Sequence, residues 1–245
     1  MSPQRTAATT RRVLTQLRHE PPTLIQIVIG PCLLLTLFRL IFAHHKTAFD
    51  QIGAPLLAIF PLVTIYQATS VALLRERISG TLERLMTTPL VRLELLFGYA
   101  GAFALTAVVQ AAVASAVILG PLGLSVAGSD LLLVLVAVSI GLLGTGLGLL
   151  VSSVVRSELQ VTQSMVLIVI PQVLLSGLIE PRQTMPVGLH DLSDVLPLSY
   201  AVDAMQQISA GASWSGAVTR DVGVILGFTV AALAGGALTL RRRTR

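Results

Sequence analysis

The sequence predicts an all-α integral membrane protein with six transmembrane helices. Of its 245 residues, 53% are apolar and only 12% are charged, and the mean hydropathy is +0.82. Soluble domains average about 45–50% apolar and about 25% charged residues. A spanning helix needs roughly 20 residues to cross about 30 Å of hydrocarbon, and several apolar runs reach this length. We therefore expect a single transmembrane domain over residues 1–245.

Six apolar runs are long enough to cross a membrane. They cover residues 24–43, 53–74, 96–119, 131–155, 159–179 and 218–240. Short polar segments join the first five runs, whereas a longer segment, residues 180–217, precedes the sixth. This segment contains three prolines and a moderately apolar portion at 195–210. It predicts an outer region of short re-entrant helices, which a membrane tolerates only where protein buries them.

Basic residues predict the orientation of the spans, because cytoplasmic loops carry an excess of Lys and Arg. An even number of spans places both termini on one side. If that side is cytoplasmic, thirteen of the seventeen basic residues are cytoplasmic as well. They are Arg5, Arg11, Arg12, Arg18, Arg75, Arg77, Arg84, Arg92, Arg156, Arg241, Arg242, Arg243 and Arg245. The isoelectric point near 10.3 thus reflects topology, and nucleic acid is not an expected partner.

A charged, amphipathic segment, residues 75–95, lies between the second and third runs. Its charged residues are Arg75, Glu76, Arg77, Glu83, Arg84, Arg92 and Glu94. On a helical wheel the apolar side chains of residues 78–86 fall together, while Glu76, Arg77, Glu83 and Arg84 fall on the opposite side. Mixed charges on that outward side suit a protein partner better than anionic lipid.

Three residues in this segment predict turns around a short helix. Gly80 is suited to end the second span in a left-handed conformation, and Thr81 is suited to cap a new helix. Pro89 restricts the residue before it and is suited to begin the helix of the third span. The segment is therefore expected to hold a short helix fixed by a span at each end.

Polar residues within the apolar runs indicate where a solute could pass, since they are costly unless protein buries them or water reaches them. Thr64 and Gln67 lie on neighbouring turns of the second run, and Gln172 and Ser176 on neighbouring turns of the fifth. These four residues are the candidate pathway residues. Hydrogen bonding between helices of one subunit is an equally good interpretation. A mixed apolar and amide surface suits a hydrophobic or amphipathic solute.

Small residues recur at helical spacing in two runs. Gly144, Gly148 and Ser152 follow one face of the fourth run, and Gly223, Gly227, Ala231 and Gly235 follow one face of the sixth. Such stripes let helix backbones approach closely in lipid. They predict tight packing within one bundle or between two copies of the chain.

Two motifs resemble those of a known transporter family. Arg75-Glu76-Arg77, Gly80-Thr81-Leu82-Glu83 and Thr88-Pro89 resemble the signature of the ATP-binding cassette type 2 transporter permeases, and the chain is most similar to the daunorubicin-type multidrug efflux permeases. A second motif, Pro197 to Ala204, is looser. Gln206 departs from it, because many members of the family carry an arginine there.

The resemblance implies the role of each segment. Residues 1–23 would be a cytoplasmic connecting segment, and residues 75–95 the coupling segment that docks into a separate ATPase. Glu83 and Arg84 would meet that ATPase, with Glu76 and Arg77 close by. The second and fifth spans would line the solute pathway between this chain and a second permease copy or homologue. The assembly would lie in a bacterial cytoplasmic membrane, with two ATPase subunits on its cytoplasmic side.

The source of energy is expected to be that partner. A phosphate-binding loop needs a lysine after Gly-x-x-x-x-Gly, and the only lysine in the sequence, Lys46, has no such context. ATP and Mg²⁺ are therefore expected on the ATPase, with no cofactor and no catalytic or metal-binding residues in this chain.

Three other functions are alternatives to drug export. A permease for lipid or polysaccharide export fits the same motifs. An ion-coupled secondary transporter normally keeps an ionisable group inside the membrane, and no Asp or Glu lies well inside the six runs. An intramembrane enzyme is disfavoured because all four histidines lie outside the apolar cores.

Overall fold

The computed structural model describes residues 2–80 and 92–242. Within these ranges the elements are helical, and six helices are long and apolar enough to cross a membrane. The six spans are Pro21–Ile41, Lys46–Ile78, Leu93–Leu119, Asp130–Ser152, Glu158–Leu175 and Gly216–Thr239. The predicted fold class, an all-α bundle with six membrane-spanning helices, is confirmed.

Three further α-helices and a 3-10 helix, Arg182–Thr184, complete the described chain. An N-terminal helix, Pro3–Arg18, precedes the first span. Two short helices, Val187–Asp194 and Pro197–Ser209, lie in the segment before the sixth span. The second of them is largely buried and packs against the second, fourth and sixth spans. Short helices thus occur where the sequence predicts them, and their re-entrant position in the membrane stays a prediction.

The second span forms the centre of the bundle. It is 33 residues long, from Lys46 to Ile78, and contacts the third, fourth and fifth spans. At 1.5 Å per residue such a helix is about 50 Å long, which exceeds the hydrocarbon thickness. The sequence predicted only residues 53–74, because hydropathy detects the apolar part of a helix and not its polar extensions. Residues 75–77 therefore belong to the same rigid helix as the span.

Glycines of the fourth span allow it to pack closely against the second. A Cβ atom at Gly144 would lie 2.9 Å from the carbonyl oxygen of Leu62, and one at Gly148 would lie 2.8 Å from that of Tyr66. The predicted close approach at Gly144 and Gly148 is thus found inside one chain. On the sixth span, by contrast, nothing lies within 4 Å of a Cβ at Gly227.

Gly148→Ala is therefore expected to lower the free energy of unfolding by about 1–3 kcal/mol, because the added methyl group forces two backbones apart. Gly227→Ala is the matched control, since its methyl group meets open space. Unfolding of the purified variants in detergent or bicelles measures both values. Equal stability of the two variants would contradict the packing described here.

The buried share of each span divides the bundle into a centre and a periphery. About two thirds of the fourth span's apolar window is buried, but only 17% of that of the first and fifth. The first span exposes Leu33 and Leu37, and the fifth exposes Leu167. These outer surfaces suit lipid or another membrane helix.

Candidate functional site

A buried carboxylate ties the N-terminal helix to the second span. Only 8% of Glu76 is exposed. Its Oε1 atom lies 3.2 Å from Nη1 of Arg12 and accepts a hydrogen bond from Nε2 of Gln16 at 3.3 Å. Arg12 also reaches the hydroxyl of Tyr99 on the third span, at 3.5 Å. Three separate elements therefore meet at this carboxylate.

Arg77 is held in a comparable way on the fourth span. Its guanidinium donates to the carbonyl oxygen of Ser152 and, at 3.3 Å, to that of Val155. Carbonyl groups at the end of a helix lack partners within the helix and carry partial negative charge, so an arginine there is stabilising. The end of the fourth span is thus fixed to the end of the second.

The positions of Glu76 and Arg77 differ from the helical wheel, which placed both on a face open to water or a partner. The wheel treats the segment as an isolated helix. In the folded chain the N-terminal helix covers Glu76, and the fourth span accepts Arg77. Both side chains contact other elements of the bundle, at the end of the second span that leads to Gly80, and their part in ATPase coupling stays a prediction.

Arg75 connects the second span to two other elements. Its Nε donates to Oε1 of Glu158, the first residue of the fifth span, at 2.7 Å. Its Nη1 lies 3.4 Å from Oε2 of Glu20, just before the first span. All three side chains are about half exposed, so the pairs contribute little stability, about 0–1 kcal/mol. Their role is to position the helices: they hold the end of the second span next to the starts of the first and fifth spans.

Sequence reasoning did not select Glu158 or Glu20 as functional residues. The available signal was the opposite charge of residues that flank successive spans on the same side. Such a signal is weak, because many flanking charges satisfy it, and only the fold shows which of them meet.

A cavity of about 390 Å³ opens beside these ion pairs. The N-terminal helix, the first three spans and the start of the fifth surround it. Gln16, Gln26, Gln67 and Tyr99 line it together with Arg75 and the three glutamates already described. Its volume lies within the range of about 300–1,000 Å³ found for small-molecule sites.

Two amides on the cavity wall lack partners within the described part of the chain. Gln26 lies in a π-helical turn of the first span, Ile25–Ile29, and Gln67 lies in the middle of the second span. Neither makes a hydrogen bond to another described residue. Both amides reach the cavity, and π-helical turns are frequent at functional sites. The cavity can therefore offer hydrogen bonds to water or to a polar group of a solute.

The other three candidate pathway residues have partners elsewhere. Thr64 accepts a 2.6 Å hydrogen bond from Nε2 of Gln110 on the third span. Gln172 is 4% exposed, and its Nε2 donates to its own helix, to the carbonyl of Ile168 at 3.0 Å. Its Oε1 atom is buried and accepts no hydrogen bond from the described residues. Ser176 is fully buried, and its hydroxyl donates to the carbonyl of Val173. Of the four residues, Gln67 is the one that lines the cavity.

The coupling residues Thr81, Glu83, Arg84 and Pro89 lie outside the described residues. The described chain reaches Gly80, which has a φ of +70°. This is the left-handed conformation expected of a glycine that ends a helix. The predicted turn at the end of the second span is therefore present.

A second ionic cluster lies at the opposite ends of the spans. Arg182 donates to the carboxylates of Asp194 and Asp203 and, at 2.6 Å, to Oγ of Ser193. Burial raises the pKa of the Asp203 carboxyl above its ordinary value, and the neighbouring Arg182 opposes that rise. Asp203 belongs to the second sequence motif, from which Gln206 departs. Arg182, 21 residues earlier in the chain, supplies a positive charge at Asp203.

The two ends of the bundle therefore differ in chemistry. One end holds a cavity of about 390 Å³ bounded by half-exposed ion pairs, and the other holds a compact cluster around Arg182. Among the described residues, no group of three or more His, Cys, Asp or Glu is placed to hold a metal ion. The cavity and the Arg182 cluster thus lie at opposite ends of a six-span membrane bundle.

Comparison with known proteins agrees with this architecture. A family model described as "ABC-2 type transporter" matches residues 4–209. The chain belongs to the ABC-2 type transporter family, a family of ABC transporter permease subunits, which lack an ATPase site of their own.

Curated relatives include several permeases. The chain is 31% identical over 153 residues to "Probable multidrug ABC transporter permease YbhR" of Escherichia coli, which covers 62% of this chain and 42% of that protein. It is 30% identical over 142 residues to "Inner membrane transport permease YhhJ" of the same organism, with coverages of 57% and 38%. It is also 25% identical over 169 residues to "ABC transporter G family member 20" of Dictyostelium discoideum, with coverages of 69% and 23%. The chain thus spans about two fifths of the length of YbhR and YhhJ.

Proposed function

We propose that this chain is the permease subunit of an ATP-driven exporter of a hydrophobic or amphipathic, drug-like solute. The cavity of about 390 Å³ beside the Arg75–Glu158 pair carries this proposal, since its wall mixes apolar side chains with free amides. The name of YbhR, a multidrug permease, supports the same class of solute. A lipid or a polysaccharide is the alternative cargo.

The proposed orientation places the cavity and both termini in or near the cytoplasm of a bacterial cell. The arginines of the N-terminal helix and of residues 75–77 flank this end of the bundle, as the distribution of positive charge requires. A solute in the cytoplasm or the inner leaflet would then enter the cavity directly. The Arg75–Glu158 pair would close the second span against the fifth and would open when they separate.

The proposed partners are two ABC ATPase subunits and a second permease. Residues 75–95 would couple the ATPase to the second span, with Thr81, Glu83, Arg84 and Pro89 at the contact and Gly80 at its hinge. Residues 75–77 continue the helix of the second span, so a displacement of the coupling segment would move that span as a rigid body. The exposed apolar faces of the first and fifth spans suit the second permease.

Among the candidate pathway residues, Gln67 is the one expected to contact the solute. Gln67→Leu removes an amide from the cavity wall and is expected to change apparent solute affinity about two- to tenfold, the value of one hydrogen bond. The measurement is dye transport in proteoliposomes that contain the permease and its ATPase, with a panel of fluorescent amphipathic dyes. Dyes that carry hydrogen-bonding groups should be affected most.

Gln110→Leu is the control for this experiment. It removes the hydrogen bond to Thr64 away from the cavity, so it should lower stability without changing the order of preference among the dyes. An unchanged dye profile in Gln67→Leu, together with normal transport rates, would contradict solute binding in this cavity.

A further inference from the structure

Two cavities join on the outer surface of the third span. The first, of about 750 Å³, lies between the N-terminal helix and the third span. The second, of about 310 Å³, lies between the third, fourth and sixth spans. Phe97 and Gly101 line both cavities, so the two form one continuous groove, here named the third-span groove. It is separate from the solute cavity beside Arg75, with which it shares no lining residue.

Small residues on this face of the third span allow close packing of the N-terminal helix. A Cβ atom at Gly98 would lie 2.5 Å from Thr9, and one at Gly101 would lie 3.0 Å from the hydroxyl of Thr10. The N-terminal helix therefore sits directly on the third span. Ala104 continues the same face without a bulky side chain, and from Phe97 to Ala104 the helix rises about 10 Å. The groove therefore runs along the third span over about this distance.

The surface of the groove is largely apolar, because the threonine side chains that line it donate their hydrogen bonds to backbone carbonyls. The hydroxyls of Thr10, Thr145 and Thr229 donate to carbonyls of their own helices, at 3.1, 3.1 and 2.9 Å. They have no donor left for a ligand. The exposed polar area is small in the part of the groove that runs between the spans, so this part favours a hydrocarbon chain.

One end of the groove is charged. Among the described residues that line the groove, Arg11 carries a formal charge and the others do not. The side chain of Arg11 is exposed. It forms no ion pair with any described residue, whereas the neighbouring Arg12 is bound to Glu76. An unpaired guanidinium at the mouth of an apolar groove is complementary to an anionic head on a hydrocarbon tail.

We propose that the third-span groove binds an anionic phospholipid. The phosphate lies at Arg11, and one acyl chain runs along Phe97, Gly101 and Ala104 between the third, fourth and sixth spans. The lipid would be drawn from the leaflet that the N-terminal helix contacts, because arginines near an anionic membrane surface attract such lipids. Bound there, it fastens the N-terminal helix to the third span from outside, opposite the Arg12–Glu76 pair.

The test measures lipid retention by the full chain purified in nanodiscs of phosphatidylcholine with a minor fraction of phosphatidylglycerol. Native mass spectrometry then counts the phosphatidylglycerol molecules that stay bound. Arg11→Glu is expected to lower retention about tenfold, through loss of an attractive charge and gain of a repulsive one. Arg18→Glu is the matched control, because Arg18 is exposed on the same helix and does not line the groove.

A second pair of variants tests the acyl-chain portion. Ala104→Phe fills the groove and is expected to lower retention as well, whereas Leu105→Phe adds bulk at the next residue, which faces outward with 50% exposure. Both variants keep every charge, so a difference between them does not depend on electrostatics.

Loss in Arg11→Glu and Ala104→Phe, with normal retention in the two controls, supports the site. Equal loss in Arg11→Glu and Arg18→Glu would show general attraction to a charged membrane and overturn it. Unchanged retention in either groove variant would overturn it too. A disulfide between two copies of the Ala104→Cys variant in a Cys32→Ala background would show that a second copy of the chain covers the groove.

Discussion

Glu83→Arg is expected to abolish ATP-driven export and to separate the chain from its ATPase. Glu83 is the acidic residue of the motif Gly80-Thr81-Leu82-Glu83, and in the proposed assembly it meets the ATPase. Reversal of a charge at the centre of a protein interface leaves like charges facing each other and costs several kcal/mol. At that cost, binding falls by more than a hundredfold.

The measurement is co-purification of the tagged permease with its ATPase, together with ATP-dependent dye transport. Arg18→Glu serves as a control, because it reverses an exposed charge on the N-terminal helix, outside residues 75–95. Membrane insertion and yield should match the unaltered chain in both variants, since Glu83 lies beyond the turn at Gly80 that ends the second span. Normal transport by Glu83→Arg would rule out its place at the coupling contact.

Hydropathy predicted the six spans well because the hydrocarbon thickness sets a minimum length that each sequence run must meet. It failed at the ends of the second span, where the helix begins at Lys46 and continues to Ile78. Arg75 and Arg77 are polar, but a polar helix continues for as long as nothing breaks it. The positive φ of Gly80 ends it, and that residue could be recognised from sequence alone.

The site itself was less predictable, because it depends on which elements meet. Gln67 could be selected as a polar residue in an apolar run, but so could Thr64, which instead bonds to Gln110. The pairing of Arg75 with Glu158 joins residues 83 positions apart. No local pattern encodes such a contact, and an isolated helical wheel cannot show that another helix covers one of its faces.

The buried carboxylate of Glu76 leads to the second large effect. Glu76→Lys is expected to lower the free energy of unfolding on the order of 3 kcal/mol and to detach the N-terminal helix. The lysine would be buried against Arg12 with no negative charge to balance either group, and breaking a buried pair in this way is strongly destabilising. Limited proteolysis between residues 18 and 21, together with thermal unfolding in detergent, measures both consequences.

Glu158→Lys, a reversal at a half-exposed pair, should have a small effect by the same measures. The double variant Arg12→Glu with Glu76→Lys restores opposite charges and should recover part of the lost stability. If it is no more stable than Glu76→Lys alone, the Arg12–Glu76 pair does not hold the N-terminal helix, and the hydrogen bond from Thr10 to the carbonyl of Gly98 becomes the main attachment to the third span.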